Sequence, residues 1–313
     1  MTDHLKNAMT FFMTVVLALI LVACSAEKPA EKIQKDDPAY VADVDAWHAK
    51  RIESLTSPTS WLSLAGLFWL EEGENSFGAD ESNAIIFPKD RAPSFFGSFA
   101  LDKGEVKVRI KPDVKVLAGD TTISEMILQT DENGKPTVLK HGSLSWYAIK
   151  RGNRFGIRLK DSENTRIKEF KGIERFPVST QWRIEAKYLP YDPPKKISIV
   201  NVLGSVSEEP SPGALKFRID GKTYRLDALG EPDDEELFIV FADTTNGFET
   251  YGGGRFLDVK KPDGKGMTYI DFNRAYNPPC TFTEFATCPL PPAQNKLPVK
   301  ITAGEKNYGD ALH

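Results

Sequence analysis

One short stretch of the sequence concentrates side chains that could bind a ligand. A carboxylate, an amide, a guanidinium and a phenol follow one another at Asp271, Asn273, Arg274 and Tyr276. A guanidinium binds carboxylates and phosphates through a planar fork of donors, and the other three groups donate or accept hydrogen bonds. The stretch therefore predicts a surface for a small polar ligand. In the plainer alternative, Asp271 and Arg274 pair with each other and only hold a loop.

The residues around this stretch predict how it is positioned. Between Met267 and Asn273 the side chains alternate in polarity, as in a half-buried strand. Thr268, Ile270 and Phe272 fall on one face, and Tyr269, Asp271 and Asn273 fall on the other. Pro278 and Pro279 then end regular structure, because proline lacks the N–H that a ladder needs. Six prolines between positions 278 and 298 stiffen the segment, which favours an ordered loop packed on a sheet.

Several motifs in the chain resemble an uncharacterised prokaryotic family, domain of unknown function 1684. The resemblance spans roughly positions 40–308, and the family name implies no reaction. Its motifs here are Trp61-Leu62-Ser63-Leu64, Gly66-Leu67-Phe68-Trp69-Leu70, His141-Gly142 with Arg151, Arg158 and Asp161, Tyr251-Gly252-Gly253-Gly254-Arg255-Phe256-Leu257, the run from Asp271 to Cys280, Cys288-Pro289-Leu290-Pro291-Pro292 with Asn295 and Leu297-Pro298-Val299, and Ala303-Gly304-Glu305-Lys306.

Cys280 and Cys288 lie close together in the proline-rich segment. An oxidising envelope favours a disulfide between them, and closing this short loop would contribute about 2–3 kcal/mol in the chain-entropy model. Two packed free thiols are the alternative. A metal half-site is the third reading, but zinc needs four ligands and the chain has few histidines. We predict a disulfide and no metal.

His141, Arg151, Arg158 and Asp161 lie on or beside a predicted hairpin from Leu144 to Leu159, which turns at Arg151-Gly152-Asn153. One interpretation is a solvated strand face with charge pairs. The other is that His141 and the arginines face the segment around Asp271 and form a polar pocket between two subdomains, where ligand sites often lie. The ligand-binding candidates are His141, Arg151, Arg255, Asp271, Asn273, Arg274 and Tyr276.

Alternation with a period of two dominates the chain after Trp61, as in the segment from Val106 to Ile110. Asp220-Gly221 is a two-residue hairpin signal, and the apolar run from Leu237 to Ala242 indicates a central strand covered on both faces. We predict a mainly β protein with two packed antiparallel β subdomains, sandwich-like or barrel-like, and one N-terminal helix.

The N-terminal residues predict export and lipidation. An apolar run from Phe11 to Val22 has the length of a signal-peptide core. It ends in Leu21-Val22-Ala23-Cys24, which resembles a bacterial lipobox, in which the cysteine is lipidated and becomes the mature N-terminus. Ser25 after that cysteine implies the outer membrane, facing the periplasm. The alternative is an ordinary secretory signal with a coincidental cysteine.

The predicted organisation divides the chain into five parts. Residues 1–23 form the signal peptide and 24–36 a polar flexible tether, too poor in apolar residues to pack. A helix follows in 37–57, capped by Asp37 with Pro38 in its first turn and ending near Thr56, with Trp47 and Leu55 expected to be buried. The first β subdomain covers 58–165 and the second 170–308.

Composition and motifs limit the function classes. A net charge of −4 argues against a nucleic-acid partner. The sequence lacks a histidine pair at helical spacing, a Gly-x-Ser-x-Gly elbow and a phosphate loop, and we expect no cofactor. Two hypotheses follow. The first is a lipid-anchored envelope module that binds a small anionic or sugar-like ligand or an envelope protein. The second is a hydrolase with His141 as general base and Arg255 or Arg274 stabilising negative charge.

Lipidation at Cys24 can be tested by substitution. Because the thiol of this residue is the acceptor of the lipid, Cys24→Ala should leave the precursor unprocessed or release the protein from the membrane fraction. Fractionation and intact-mass measurement check this. A variant with the mass and fractionation of the wild type would contradict it.

Overall fold

The computed structural model describes residues 37–309. The predicted helix is confirmed as α1 (Pro38–Leu55). The Asp37 side chain caps it by accepting a hydrogen bond from the Ala39 amide at 2.9 Å, and Thr56 terminates it. Leu55 is buried, as predicted. Trp47 is only half-buried, because one face of its ring borders a cleft.

The first half of the described chain forms two sheets. A six-stranded sheet has the order β1-β11-β10-β9-β6-β7, and a five-stranded sheet has the order β3-β2-β4-β5-β8. Their pairings are antiparallel except for β2 with β3, which are parallel. The strands are β1 (Leu64–Trp69), β2 (Gly73–Gly78), β3 (Ile85–Ile86), β4 (Gly97–Asp102), β5 (Glu105–Ile110), β6 (Val116–Ala118), β7 (Thr121–Ile123), β8 (Glu125–Leu128), β9 (Leu139–His141), β10 (Leu144–Arg151) and β11 (Arg154–Asp161).

Aromatic side chains fill the core of these two sheets. Phe77 lies at its centre, with its ring 4.2 Å from that of Phe99 and 5.2 Å from that of Phe96. Trp146 from β10 meets Phe77 edge to face at 6.0 Å. Offset and edge-on aromatic pairs add to the burial of apolar area, so this cluster holds the two sheets together.

A short helix, α2 (Thr165–Glu169), precedes the second half of the chain, which forms a four-stranded and a two-stranded sheet. The orders are β14-β13-β12-β17 and β15-β16, all antiparallel. The strands are β12 (Arg183–Val200), β13 (Val206–Ile219), β14 (Lys222–Asp227), β15 (Glu236–Phe241), β16 (Arg255–Lys260) and β17 (Met267–Asp271).

Two sequence signals in this half gave the predicted local structure. Asp220 and Gly221 have φ of 47° and 76° and join β13 to β14, as a type I′ turn requires. In β15, Ile239, Val240 and Phe241 are all fully buried, so both faces are covered, as predicted. The predicted central position is wrong, because the full ladder of β15 within the described residues is with β16 alone, and Leu229 forms only an isolated bridge to Phe238.

The described chain forms one compact unit from Asp37 onward. Besides the core of each half, a third cluster brings Leu64 of β1 together with Ile197, Val240 and Phe256 from the second half. The mainly β fold class is confirmed, whereas the subdomain boundaries stay a prediction.

Several N-terminal predictions lie outside the described residues. These are the signal peptide 1–23, the tether 24–36 and lipidation at Cys24. Within residues 37–309, no helix combines the length and the hydropathy that a membrane span needs.

The proline-rich segment is ordered by a buried asparagine. The Asn295 amide donates to the carbonyl oxygens of Asp227 and Val240, both at 2.9 Å, and its Oδ1 accepts from the Asp227 amide at 2.8 Å. Asn295 is fully buried. Three backbone groups of the neighbouring strands would therefore lose their partner without it.

We expect Asn295→Ala to lower the free energy of unfolding by about 3 kcal/mol, because it leaves buried backbone groups unpaired. The neighbouring Gln294 is exposed and has one longer contact, of 3.3 Å, to Asp227. Gln294→Ala should therefore change stability by less than about 0.5 kcal/mol. Urea unfolding of both variants tests the difference. Equal losses would contradict the role given to Asn295.

Candidate ligand-binding site

A cleft of about 520 Å³ lies between the first turns of α1 and the neighbouring edges of two sheets, β15 and β16 of the two-stranded sheet and β17 and the start of β12 of the four-stranded sheet. Aromatic rings and charged groups of both signs line it. The lining residues are Tyr40, Asp43, Trp47, Arg183, Glu236, Asp258, Lys260, Thr268, Tyr269, Asp271, Arg274 and Tyr276. Three of the predicted ligand-binding residues, Asp271, Arg274 and Tyr276, are therefore brought together.

Asp271 anchors the N-terminal turn of α1. Its Oδ1 accepts a hydrogen bond from the Tyr40 hydroxyl at 2.7 Å and from the Asn273 backbone amide at 3.1 Å. The burial of Tyr40, together with the hydrogen bond to Asp271 and its negative charge, raises the pKa of this hydroxyl. Tyr40 therefore stays a neutral donor to Asp271.

The observed strand is shorter than predicted, so Asn273 does not share its polar face with Asp271. β17 ends at Asp271, and Phe272–Arg274 forms a 3₁₀ turn that Asp271 caps. Asn273 is consequently buried, and its amide donates to the Tyr40 hydroxyl at 2.8 Å and to the Ser179 carbonyl oxygen at 2.9 Å. Asn273 does not line the cleft, because its amide is hydrogen-bonded to the scaffold, and its role as a ligand-binding side chain stays a prediction.

Arg274 bridges the helix and the sheet. Its guanidinium pairs with Asp43 of α1, and its Nε lies 3.3 Å from Oδ2 of Asp271. The alternative weighed from the sequence, an Asp271–Arg274 pair, is thus observed. Both residues nevertheless line the cleft.

Tyr276 and Asp258 form a second polar group in the cleft. The Tyr276 hydroxyl donates to Oδ2 of Asp258 at 2.9 Å, and the Arg51 guanidinium stacks over the Tyr276 ring at 4.5 Å. Solvent reaches Asp258, yet the crowding protein atoms raise the pKa of its carboxyl through desolvation. The hydrogen bond from Tyr276 and the charge of Arg51 act in the opposite direction.

Two cations of the cleft have no carboxylate partner among residues 37–309, namely Arg183 and Lys260. The Arg183 guanidinium lies 4.1 Å from the centre of the Tyr269 ring and 6.0 Å from that of Tyr40. A stack on an aromatic face orients a guanidinium while its N–H groups stay available. Arg183 is therefore the strongest anion-binding group in the cleft.

The remaining predicted residues lie elsewhere. His141 ends β9, where its Nδ1 lies 2.8 Å from the Lys115 carbonyl oxygen and its ring packs edge-on against Phe96. Arg151 makes a bidentate pair with Asp131 at 2.7 and 2.9 Å. The expected pocket between subdomains, formed by His141, the arginines and the segment around Asp271, is not assembled.

Arg255, which was also predicted as a ligand-binding residue, does not line the cleft. Its side chain is fully buried, pairs with Asp243 at 2.6 Å and donates to the backbone carbonyl oxygens of Ile301 and Ala303. An arginine with these partners holds the segment 301–303 against β16 and is inaccessible to a ligand.

Cys280 and Cys288 are adjacent but unbonded in the structure. The Cys280 amide donates to the sulfur of Cys288 at 3.1 Å, and the Cys288 amide donates to the sulfur of Cys280 at 3.3 Å. The predicted disulfide therefore stays a prediction. The described residues hold no group of three His, Cys, Asp or Glu side chains placed to bind a metal.

Most of the residues that line the cleft were not identified from the sequence. Tyr40, Trp47 and Arg183 are far from Asp271 along the chain, and no local pattern connects them. Tyr269 carried a signal, since it shares the exposed face of β17 with Asp271. Asp258 did so more weakly, as the exposed residue between buried Leu257 and Val259.

The second half of the described chain also matches a known family. Residues 168–306 match the family described as "Protein of unknown function (DUF1684)". This supports the resemblance in the half of the chain that carries Arg183, Asp258 and the segment around Asp271.

A solved structure and a search of curated proteins complete the comparison. The solution NMR structure of an uncharacterized protein of Haloarcula marismortui is 29% identical over 45% of this chain and 80% of that chain, with a TM-score of 0.38. No curated protein gives a significant match.

The raised pKa of Asp258 predicts a pH-dependent stability effect. In the window between its ordinary and its raised pKa the folded state binds more protons than the unfolded state, so the contribution of Asp258 to stability falls as pH rises. Asp258→Asn removes this titration and keeps an acceptor for Tyr276. We expect its Tm to exceed that of the wild type at pH 7, with the difference shrinking on acidification.

Asp263 provides a control of opposite sign. Backbone amides of Met267 and Lys265 lower the pKa of this exposed carboxyl, so its stabilising contribution is lost as pH falls. Asp263→Asn should therefore lower the Tm at pH 7 and approach the wild type in acid. Thermal unfolding between about pH 2 and pH 7 measures both variants, because the contribution of Asp263 is lost only below its ordinary pKa of 3.8. A Tm difference for Asp258→Asn that grows on acidification would contradict the assignment.

Proposed function

We propose that this protein is a lipid-anchored module of the bacterial cell envelope that binds a small acidic sugar without turnover. The cleft between α1 and the sheet supports this proposal. The observation that carries it is the pairing of aromatic faces with an arginine that has no carboxylate partner in the described part of the chain.

The aromatic lining suits a ligand with both apolar and polar faces. Tyr40, Trp47, Tyr269 and Tyr276 contribute rings to the cleft. A sugar ring presents C–H groups on its faces and hydroxyls around its rim, so it can pack on these rings while carboxylates accept from its hydroxyls. Ligand sites commonly combine such apolar surface with a few placed polar groups.

The cations of the cleft that have no carboxylate partner in residues 37–309 suit the carboxylate of an acidic sugar, and the carboxylates Glu236 and Asp258 suit its hydroxyls. Arg274 is neutralised by Asp43 and Asp271. Arg183 and Lys260 remain, and the fork of Arg183 matches the two oxygens of a carboxylate. A uronic acid satisfies both requirements, because its ring stacks and its carboxylate pairs.

The envelope address rests on the N-terminal sequence. The apolar run from Phe11 to Val22 and the lipobox at Cys24 support export and lipidation, and Ser25 supports the outer membrane with the domain facing the periplasm. The tether 24–36 would connect the lipid to α1. An envelope protein that carries acidic sugars is the partner this arrangement suits.

Hydrolysis remains the second candidate, with different residues from those first considered. His141 does not line the cleft, so it has no role there. Asp258 does line it and has a raised pKa, as a general acid requires. Product analysis during binding experiments distinguishes the two functions.

Binding of D-glucuronate, compared with methyl glucoside, tests the proposed function. Isothermal titration calorimetry should detect glucuronate and not the neutral sugar. Arg183→Gln should weaken glucuronate binding at least about tenfold, which corresponds to the loss of one charged contact. Arg154 is the matched control, because its guanidinium also stacks 4.1 Å from an aromatic ring, that of Trp69, outside the cleft.

The outcome for the two variants decides the proposal. Arg154→Gln should bind as the wild type does. Equal weakening in both variants, or equal affinity for the neutral and the acidic sugar, would overturn it. Release of an aldose from a glucuronide, lost in Asp258→Asn, would instead favour the hydrolase.

A further inference from the structure

Arg158 is a buried cation without an anionic partner. Its side chain is 2% exposed, and no carboxylate of residues 37–309 lies within ion-pair distance of it. Its Nη2 donates to the Thr287 hydroxyl at 3.2 Å, and its Nε has no partner. Burying a charge costs free energy unless an opposite charge compensates it. An anion beside Arg158 would therefore stabilise it.

Thr287 places this cation beside the cysteine pair. Thr287 directly precedes Cys288, and the charge of Arg158 acts on the thiols of both Cys280 and Cys288. A thiolate is the anion that this neighbourhood can supply. None of these residues lines the cleft between α1 and the sheet.

The two sulfurs have different environments. Each sulfur accepts the amide of the other residue, but Cys280 is half-buried whereas Cys288 is buried. The hydrogen bonds from the Cys288 thiol and amide, together with Arg158, lower the pKa of the Cys280 thiol, and burial acts in the opposite direction. Burial, followed by the hydrogen bond and charge of Cys280, raises the pKa of the Cys288 thiol. The accessible sulfur is therefore the one that ionises first.

We propose that Cys280 and Cys288 form a redox-active dithiol, in which Cys280 is a thiolate paired electrostatically with Arg158 and attacks disulfides, while Cys288 is the resolving thiol. The substrate class is a small-molecule or protein disulfide. The site thus extends the predicted bridge from a structural link to an exchangeable one.

The exchange balances in two steps. The Cys280 thiolate attacks one sulfur of a disulfide RSSR, so that a mixed disulfide forms and RS⁻ leaves. RS⁻ takes the proton of the Cys288 thiol, and the resulting thiolate attacks the sulfur of Cys280 in the mixed disulfide. The Cys280–Cys288 bond forms, and the second RS⁻ leaves and is protonated by solvent. The dithiol is oxidised, and RSSR is reduced to two RSH.

The reduced full-length protein allows a direct test of the thiolate. Alkylation by iodoacetamide, resolved by mass spectrometry at each cysteine and followed against pH, reports the fraction of each thiolate. Cys280 should react at least about tenfold faster than Cys288 at pH 6 and titrate below the ordinary thiol value of about 8.5. Titration of Cys280 at or above that value would overturn the proposal, whatever any variant does.

Two arginine variants then assign the cause. Arg158→Gln should slow alkylation of Cys280 at pH 6 by more than about threefold, because loss of the guanidinium raises the pKa of this thiol. Arg151 is the matched control, because its Nε also lies 3.1 Å from the Thr287 hydroxyl while Asp131 neutralises its charge. Arg151→Gln should stay within about twofold of the wild type. Folded Arg158→Gln protein with an unchanged rate would contradict the role of Arg158.

Glutathione disulfide tests the exchange itself. In Cys288→Ser the mixed disulfide should accumulate on Cys280, whereas the wild type should form the internal bridge and release two thiols. Cys280→Ser should form no adduct. An adduct on Cys288, or a wild-type bridge that dithiothreitol fails to reduce in the folded protein, would show a purely structural pair and overturn the proposal.

Discussion

The buried carboxylate of Glu305 connects α1 to the segment that follows β17. Its side chain accepts from Arg51 Nε at 2.5 Å and from the Asn277 amide at 2.7 Å. His48 lies 3.9 Å away, and burial lowers the pKa of its imidazole, which favours the neutral ring. Glu305 is therefore compensated by Arg51. Removing one member of a buried ion pair typically costs about 3–5 kcal/mol, so the position of α1 is fixed strongly.

This ion pair positions residues that line the cleft. Arg51, held by Glu305, stacks on the ring of Tyr276, whose hydroxyl reaches Asp258. At the other end of the helix, Tyr40 and Asp43 reach Asp271 and Arg274. The helix is thus fixed at two points, and the cleft opens between the helix and the sheet.

The arginines of the chain have different roles because the side chains around them differ. Arg255 is buried against Asp243, and Arg274 is shared between two carboxylates. Arg183 faces the cleft on a tyrosine ring, and Arg158 is buried beside two thiols. The carboxylates around each guanidinium, and not its place in a sequence motif, therefore distinguish structural arginines from those that are candidates for binding or reaction.

Local patterns predicted local structure well. The cap and proline at Asp37 and Pro38 gave the start of α1, and the Asp220-Gly221 turn and the alternation in β17 were also recognisable. The turn after Asp271 was missed, since period-two alternation continues through Phe272 although the backbone tightens into a 3₁₀ turn there. As a result, the alternation predicts Asn273 on the polar face of the strand, whereas Asn273 is buried.

Long-range placement was the part that the sequence could not supply. Periodicity tells which face a residue occupies but not which distant element covers that face. Tyr40, which donates to Asp271, and Asp43, which pairs with Arg274, lie at the start of α1, more than two hundred residues away. No sequence pattern indicated the partners of Arg255 and His141 for the same reason, because only the folded chain brings them to Asp243 and Lys115.

Hydrogen–deuterium exchange of the full-length protein with and without D-glucuronate tests the central claim, that the cleft is a ligand site, most directly. Bound glucuronate should slow exchange in the first turns of α1 and in β17, and leave β9 and β10, which carry His141 and Arg151, unchanged. Protection confined to β9 and β10, or no protection at saturating glucuronate, would contradict the claim.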